Sequence, residues 1–208
     1  MENNKVLDML LLPKRIYGRI TGKKSTLFAG IIFVGAVDIL FPQMRTIFRQ
    51  IFVEKQSNTL LYNAALLLVL ILVLGVLDVV FFSVPLFDLF KVFKKKKDSP
   101  PVESEHRIKI MKIYVIAHLV TLPVNILLHF LFSEVELMNN PSLAYTAFLM
   151  ELVVIIWFNA VITRGINTIY QFETLFKRFV FGAVFLWSYM LGWALSFIIY
   201  NCAIPLFK

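Results

Sequence analysis

Leu60–Phe90 reads LLYNAALLLVLILVLGVLDVVFFSVPLFDLF, an apolar run that decides the class of this chain. About 20 such residues in a helix cross ~30 Å of hydrocarbon. This run is longer, so the helix is expected to tilt, or to bend near Pro85, whose ring cannot continue the backbone ladder. Asp78 lies inside it, and a bilayer tolerates a carboxyl group poorly unless structure or function needs one.

Four further runs flank it: Ser25–Phe41, Ile110–Phe132, Leu143–Thr163 and Phe179–Tyr200. The chain is 59% hydrophobic, with 21 Phe and only 16% charged residues. A soluble domain of 208 residues could not hide so much apolar surface. The expected architecture is therefore all-α: a polytopic membrane protein, one domain over residues 1–208, built as a bundle of five transmembrane helices. The first span is short and is expected to stop at Pro42. The apolar stretch Leu7–Leu12 ends at Pro13-Lys14-Arg15 without a small-residue cleavage site, so no signal peptide is expected. Cys202 has no second cysteine to pair with.

Basic residues set the orientation. With the N-terminus in the cytoplasm, only Arg45, Arg49, Lys55 and Lys208 of the 21 Lys and Arg residues fall outside, a strong bias under the positive-inside rule. The expected location is the cell membrane, multi-pass, with the C-terminus outside. Between the first two spans, Met44, Ile47, Phe48, Ile51 and Phe52 recur every three to four residues and read as a short helix on the outer surface. Arg164–Lys177 reads as a similar helix inside, and Val6–Ile20, broken by Pro13, as a third. The cytoplasmic loop 91–109 carries Lys94, Lys95, Lys96 and Lys97, then Asp98-Ser99-Pro100-Pro101, and reads as mobile and hydrophilic. Lys94–Lys97 with Lys14 and Arg15 form a candidate contact for anionic lipid. Aromatic residues are not interleaved with the lysines, so nucleic acid is not an expected partner.

The polar groups inside the spans are the candidate site. At ~1.5 Å per residue, Asp38, Asp78, Asn125 and Glu151 each lie about 20 Å from the basic inner end of their own helix. Four polar groups from four helices thus reach a similar depth. The first two share a pattern, Gly35-Ala36-Val37-Asp38 and Gly75-Val76-Leu77-Asp78. Each glycine lies almost one turn before the acid and lets a neighbouring helix approach closely. Two readings compete. In one, the acids pin the helices through hydrogen bonds. In the other, the layer binds a proton, a cation or a basic group of a substrate.

Other chemistry finds no footing. His118 and His129 share a helix face but stand about 16 Å apart, too far for one ion, and no H-E-x-x-H occurs. Gly18–Ser25 has one residue too few for a phosphate loop, and no strand precedes it. No metal, cofactor or catalytic residue is expected, and the chain does not read as an enzyme. Ser188, Gly192 and Ser196 recur every four residues and read as a packing face.

The order of parts resembles the Yip family of Ypt/Rab-interacting membrane proteins, in its bacterial branch. The likeness rests on three stretches: the basic segment Leu12-Pro13-Lys14-Arg15-Ile16-Tyr17-Gly18-Arg19-Ile20; Ala117-His118-Leu119-Val120-Thr121-Leu122-Pro123 in the third span; and Ile156-Trp157-Phe158 leading to Gly165-Ile166 and Tyr170-Gln171-Phe172. The resemblance implies five spans, a cytoplasmic N-terminus and a scaffold or trafficking-type role through helix and lipid contacts. Expected partners are membrane lipids and a membrane-protein partner or a second copy. The alternative is a small transporter or permease subunit that uses the carboxylate layer.

Overall fold

The computed structural model describes residues 8–52, 57–93, 103–132 and 140–207; along 41–52, 57 and 103 only the backbone course is described. Every described element is helical. The helices are α1 (Lys14–Gly18), α2 (Ser25–Phe52), α3 (Ser57–Phe93), α4 (Glu103–Leu131), α5 (Pro141–Tyr170) and α6 (Thr174–Ile198). A π-helical turn (Ile199–Ala203) and a 3-10 turn (Ile204–Leu206) finish the chain.

Four of these helices, α3 to α6, are long and apolar enough to cross a membrane. The described side chains of α2 give a shorter apolar stretch, Ser25–Leu40. Large side chains such as Leu68, Phe81, Phe130, Phe148 and Trp193 are exposed along the long helices. In lipid such a surface costs nothing, and a helix satisfies its own backbone groups there. The sequence and the structure together describe a membrane-embedded helical protein.

Local chemistry explains the helix boundaries. At the start of α5, the Asn140 side chain accepts from the Leu143 N–H at 3.3 Å, and Pro141 occupies the first turn, where its missing N–H is not needed. At its end Gln171 turns left-handed, with φ 52°, and its N–H returns to the Asn167 carbonyl at 3.1 Å. Three residues later α6 begins. The inner surface helix expected over Arg164–Lys177 is therefore absent: its first half continues α5 and its last residues open α6. Pro42 likewise does not end the helix, because α2 runs on to Phe52 and takes in most of the segment expected as a separate outer helix. A proline removes one N–H and strains one turn, but the bonds on either side of it can hold a long helix together. Pro85 and Pro123 lie inside α3 and α4 in the same way.

The chain divides into two compact units, each assembled from separate segments. One draws on 22–115 and 186–208. Its core joins Ile39 on α2, Ile71 and Leu74 on α3 and Ile199 in the π turn, with Leu67, Leu70 and Phe207 packed around them. The other draws on 1–21 and 116–185, where Tyr17, Ala117, Val161, Ile162, Ile166 and Val180 are buried.

Candidate functional site

Within the first unit, α2 and α3 meet at two glycines. A Cβ on Gly35 would lie 2.8 Å from the Gly75 nitrogen and would run into the Ile71 carbonyl. One on Gly75 would lie 3.0 Å from the Gly35 nitrogen and would run into the Ile31 carbonyl. Each bare Cα thus makes room for the other backbone, the close approach that the repeated glycine–acid pattern implies. Three residues beyond each glycine stand Asp38 and Asp78, and the two carboxyl groups are close enough to interact.

A third helix completes the cluster. Tyr114 on α4 donates its hydroxyl to Asp78, 2.9 Å from both Oδ1 and Oδ2. Phe82, one turn after Asp78, stacks on the Tyr114 ring at 3.9 Å between centroids. Asp78 is 1% exposed and Tyr114 5%, so the bond is shielded from any competing solvent. Asp38 Oδ2 is buried without a hydrogen-bond partner. Lower in the same unit, Arg107 lies 5.1 Å over the Phe87 ring and Lys109 pairs with Glu105 at 2.8 Å.

Trp187 on α6 makes a separate contact in this unit. Its indole N–H donates to the Phe81 carbonyl at 3.0 Å. Phe81 lies four residues before Pro85, so its carbonyl is the one whose helical donor the proline ring removes.

In the other unit, the N-terminal segment is strapped onto α5. Trp157 Nε1 donates to the Leu10 carbonyl at 2.6 Å. The Tyr17 hydroxyl lies 2.9 Å from the Leu11 carbonyl and 3.2 Å from the Val161 carbonyl. Arg164 pairs with Asp8. Leu12 takes a left-handed φ of 61°, and Pro13 then starts α1. A non-glycine residue held there costs about 1–3 kcal/mol, which the surrounding contacts must offset. Burial pushes the Tyr17 hydroxyl up to about 12, against the opposing pull of the Arg164 charge. The described part of the segment expected as a surface helix broken by Pro13 is thus anchored through its own backbone.

Of the four polar groups placed at one depth by spacing, Asp38 and Asp78 come together. Asn125 and Glu151 belong to the other unit; Asn125 is half-buried and Glu151 is exposed. The expected burial of Glu151 fails because side chains 148–153 are all exposed, and spacing gives depth along a helix but not which turns are packed. The stripe on α6 also differs from expectation: Gly192 and Ser196 are exposed, and a Cβ on Gly192 would meet nothing within 4 Å. Lys14 and Arg15 are exposed on α1, while Lys94, Lys95, Lys96 and Lys97 lie outside the described residues.

Among known proteins, no family model, no curated protein and no solved structure matches this chain. Among the described residues, no group of three or more His, Cys, Asp or Glu side chains could hold a metal ion. Spacing missed Tyr114, Trp187, Tyr17 and Trp157. The signals were present as aromatic residues with polar tips, which seek a hydrogen-bond partner when buried.

Proposed function

We propose that this chain is an integral membrane scaffold or accessory protein of the Yip type, acting through helix and lipid contacts and not through chemistry of its own. The Yip assignment rests on the order of sequence parts. The scaffold reading rests on one observation: both oxygens of the buried Asp78 carboxyl are engaged by Tyr114, within one compact unit. An acid held this way joins α3 to α4. In this reading the chain has five spans in the cell membrane, with the N-terminus and loop 91–109 in the cytoplasm, and works beside a membrane-protein partner or a second copy.

A small transporter or permease subunit is the second reading. It is favoured by Asp38 Oδ2, buried beside Asp78 with no partner of its own. Thermal melting of the purified protein in detergent separates the two. Ligands that bind only the folded state raise its melting temperature by mass action. The scaffold reading expects the same melting temperature in sodium, lithium, potassium and choline chloride at equal ionic strength. A cation-specific rise that Asp38→Asn abolishes would move the assignment to transport.

A further inference from the structure

We propose that the N-terminal strap, from Met9 to Arg19, is a docking surface for the headgroups of anionic phospholipid. The inference deepens the membrane-scaffold reading and rests on it. The strap presents two kinds of surface together. Met9, Leu10 and Ile16 are 87%, 52% and 42% exposed, and Lys14, Arg15 and Arg19 are exposed beside them. Apolar side chains that enter the edge of the hydrocarbon, next to basic ones that meet phosphate, are what an anionic bilayer surface selects.

The anchoring argues for the same partner. Asp8, just before the strap, is held by Arg164, so its charge is balanced and does not repel phosphate. The carbonyls of Leu10 and Leu11 are occupied by Trp157 and Tyr17. What remains outward is cationic and apolar. Because Tyr17 is buried against α5, the strap is ordered before lipid arrives, and binding does not have to supply that ordering.

Trp157 reports on this surface directly, since its indole touches the strap. The test uses full-length protein carrying Trp187→Phe and Trp193→Phe, which leaves Trp157 as the emitter. It is reconstituted in phosphatidylcholine vesicles containing phosphatidylglycerol, with bromine placed on the acyl chains of one lipid or the other. Brominated phosphatidylglycerol should quench Trp157 more than its mole fraction predicts. Each charge lost among Lys14→Gln, Arg15→Gln and Arg19→Gln should cut that relative affinity about fivefold. The exchange Lys14→Arg, Arg15→Lys and Arg19→Lys should keep it, which separates charge from folding damage. Equal quenching by the two brominated lipids, or a preference that survives the triple glutamine change, would overturn lipid docking alone. Quenching by neither lipid would place Trp157 away from the bilayer and overturn the membrane placement as well.

Discussion

Trp187 donates its indole N–H to the Phe81 carbonyl, the oxygen that Pro85 leaves without its helical donor. Trp187→Phe removes the donor and should lower stability in detergent by about 0.6 kcal/mol, and by no more than ~1.7, the range measured for polar contacts between membrane helices. Pro85→Ala returns an N–H to Phe81. In that background the same Trp187→Phe change should cost clearly less. Equal losses in the two backgrounds would break the link between proline and tryptophan.

Tyr114 and Asp78 should behave as one unit. Tyr114→Phe leaves a buried carboxyl short of a donor and should destabilise by about 1–3 kcal/mol. Combined with Asp78→Leu, the loss should fall short of the sum of the single changes by about 0.5–3 kcal/mol. Strict additivity in thermal or denaturant unfolding would mean the 2.9 Å bonds carry no weight.

Alanine at the helix crossing gives a prediction of sign. Gly35→Ala and Gly75→Ala push a methyl group into backbone that cannot move aside as a side chain can, and each should cost about 1–3 kcal/mol. Gly192→Ala meets open space and should stabilise by up to ~1 kcal/mol through helix propensity. Melting temperatures of the three variants, compared in one detergent, check the order.

The strap should loosen in strong alkali. Tyr17 ionises at 10.0 when free and at about 12 in place, so its neutral hydroxyl is favoured by the folded strap. Its contribution is full below pH 10.0 and is lost as pH rises toward about 12. Trp157 fluorescence, followed in the Trp187→Phe, Trp193→Phe background, should change over that window and return on neutralisation. Tyr17→Phe should abolish the step. A step that survives Tyr17→Phe would assign it to another group.

The proposed orientation is open to labelling. In a Cys202→Ser background, an impermeant thiol reagent added to intact cells should reach Glu134→Cys and not Lys97→Cys. The opposite pattern would reverse the topology.

The apolar runs were legible because a bilayer-spanning helix needs length and hydropathy, and both are properties of a single segment. The glycines before Asp38 and Asp78 were legible for a similar reason, since their spacing places a gap beside an acid. The choice of Tyr114 as partner was not, because it lies 36 residues away and is selected by how α3 and α4 pack. Pro42 misled because a proline counts against a helix in isolation, while α2 continues through it. Glu151 misled because distance along an axis says nothing about which turns are covered. The strap was hidden for the opposite reason: its contacts use the carbonyls of Leu10, Leu11 and Val161, and a carbonyl is present whatever the side chain.

The carboxyl pair has a consequence for the order in which the chain is made. Asp38 and Asp78 lie on helices that are neighbours in sequence, so both acids are synthesised before Tyr114. At ~5–20 residues per second, the 36 residues between Asp78 and Tyr114 take about 2–7 s to synthesise. Until α4 packs against it, the hairpin of α2 and α3 holds Asp38 and Asp78 without Tyr114. At that stage the pairing open to each acid is the other, brought close by the Gly35–Gly75 crossing. A nascent chain carrying Asp38→Leu would bring Asp78 to the bilayer alone, so the damage from that substitution would fall on insertion, before the finished fold could compensate.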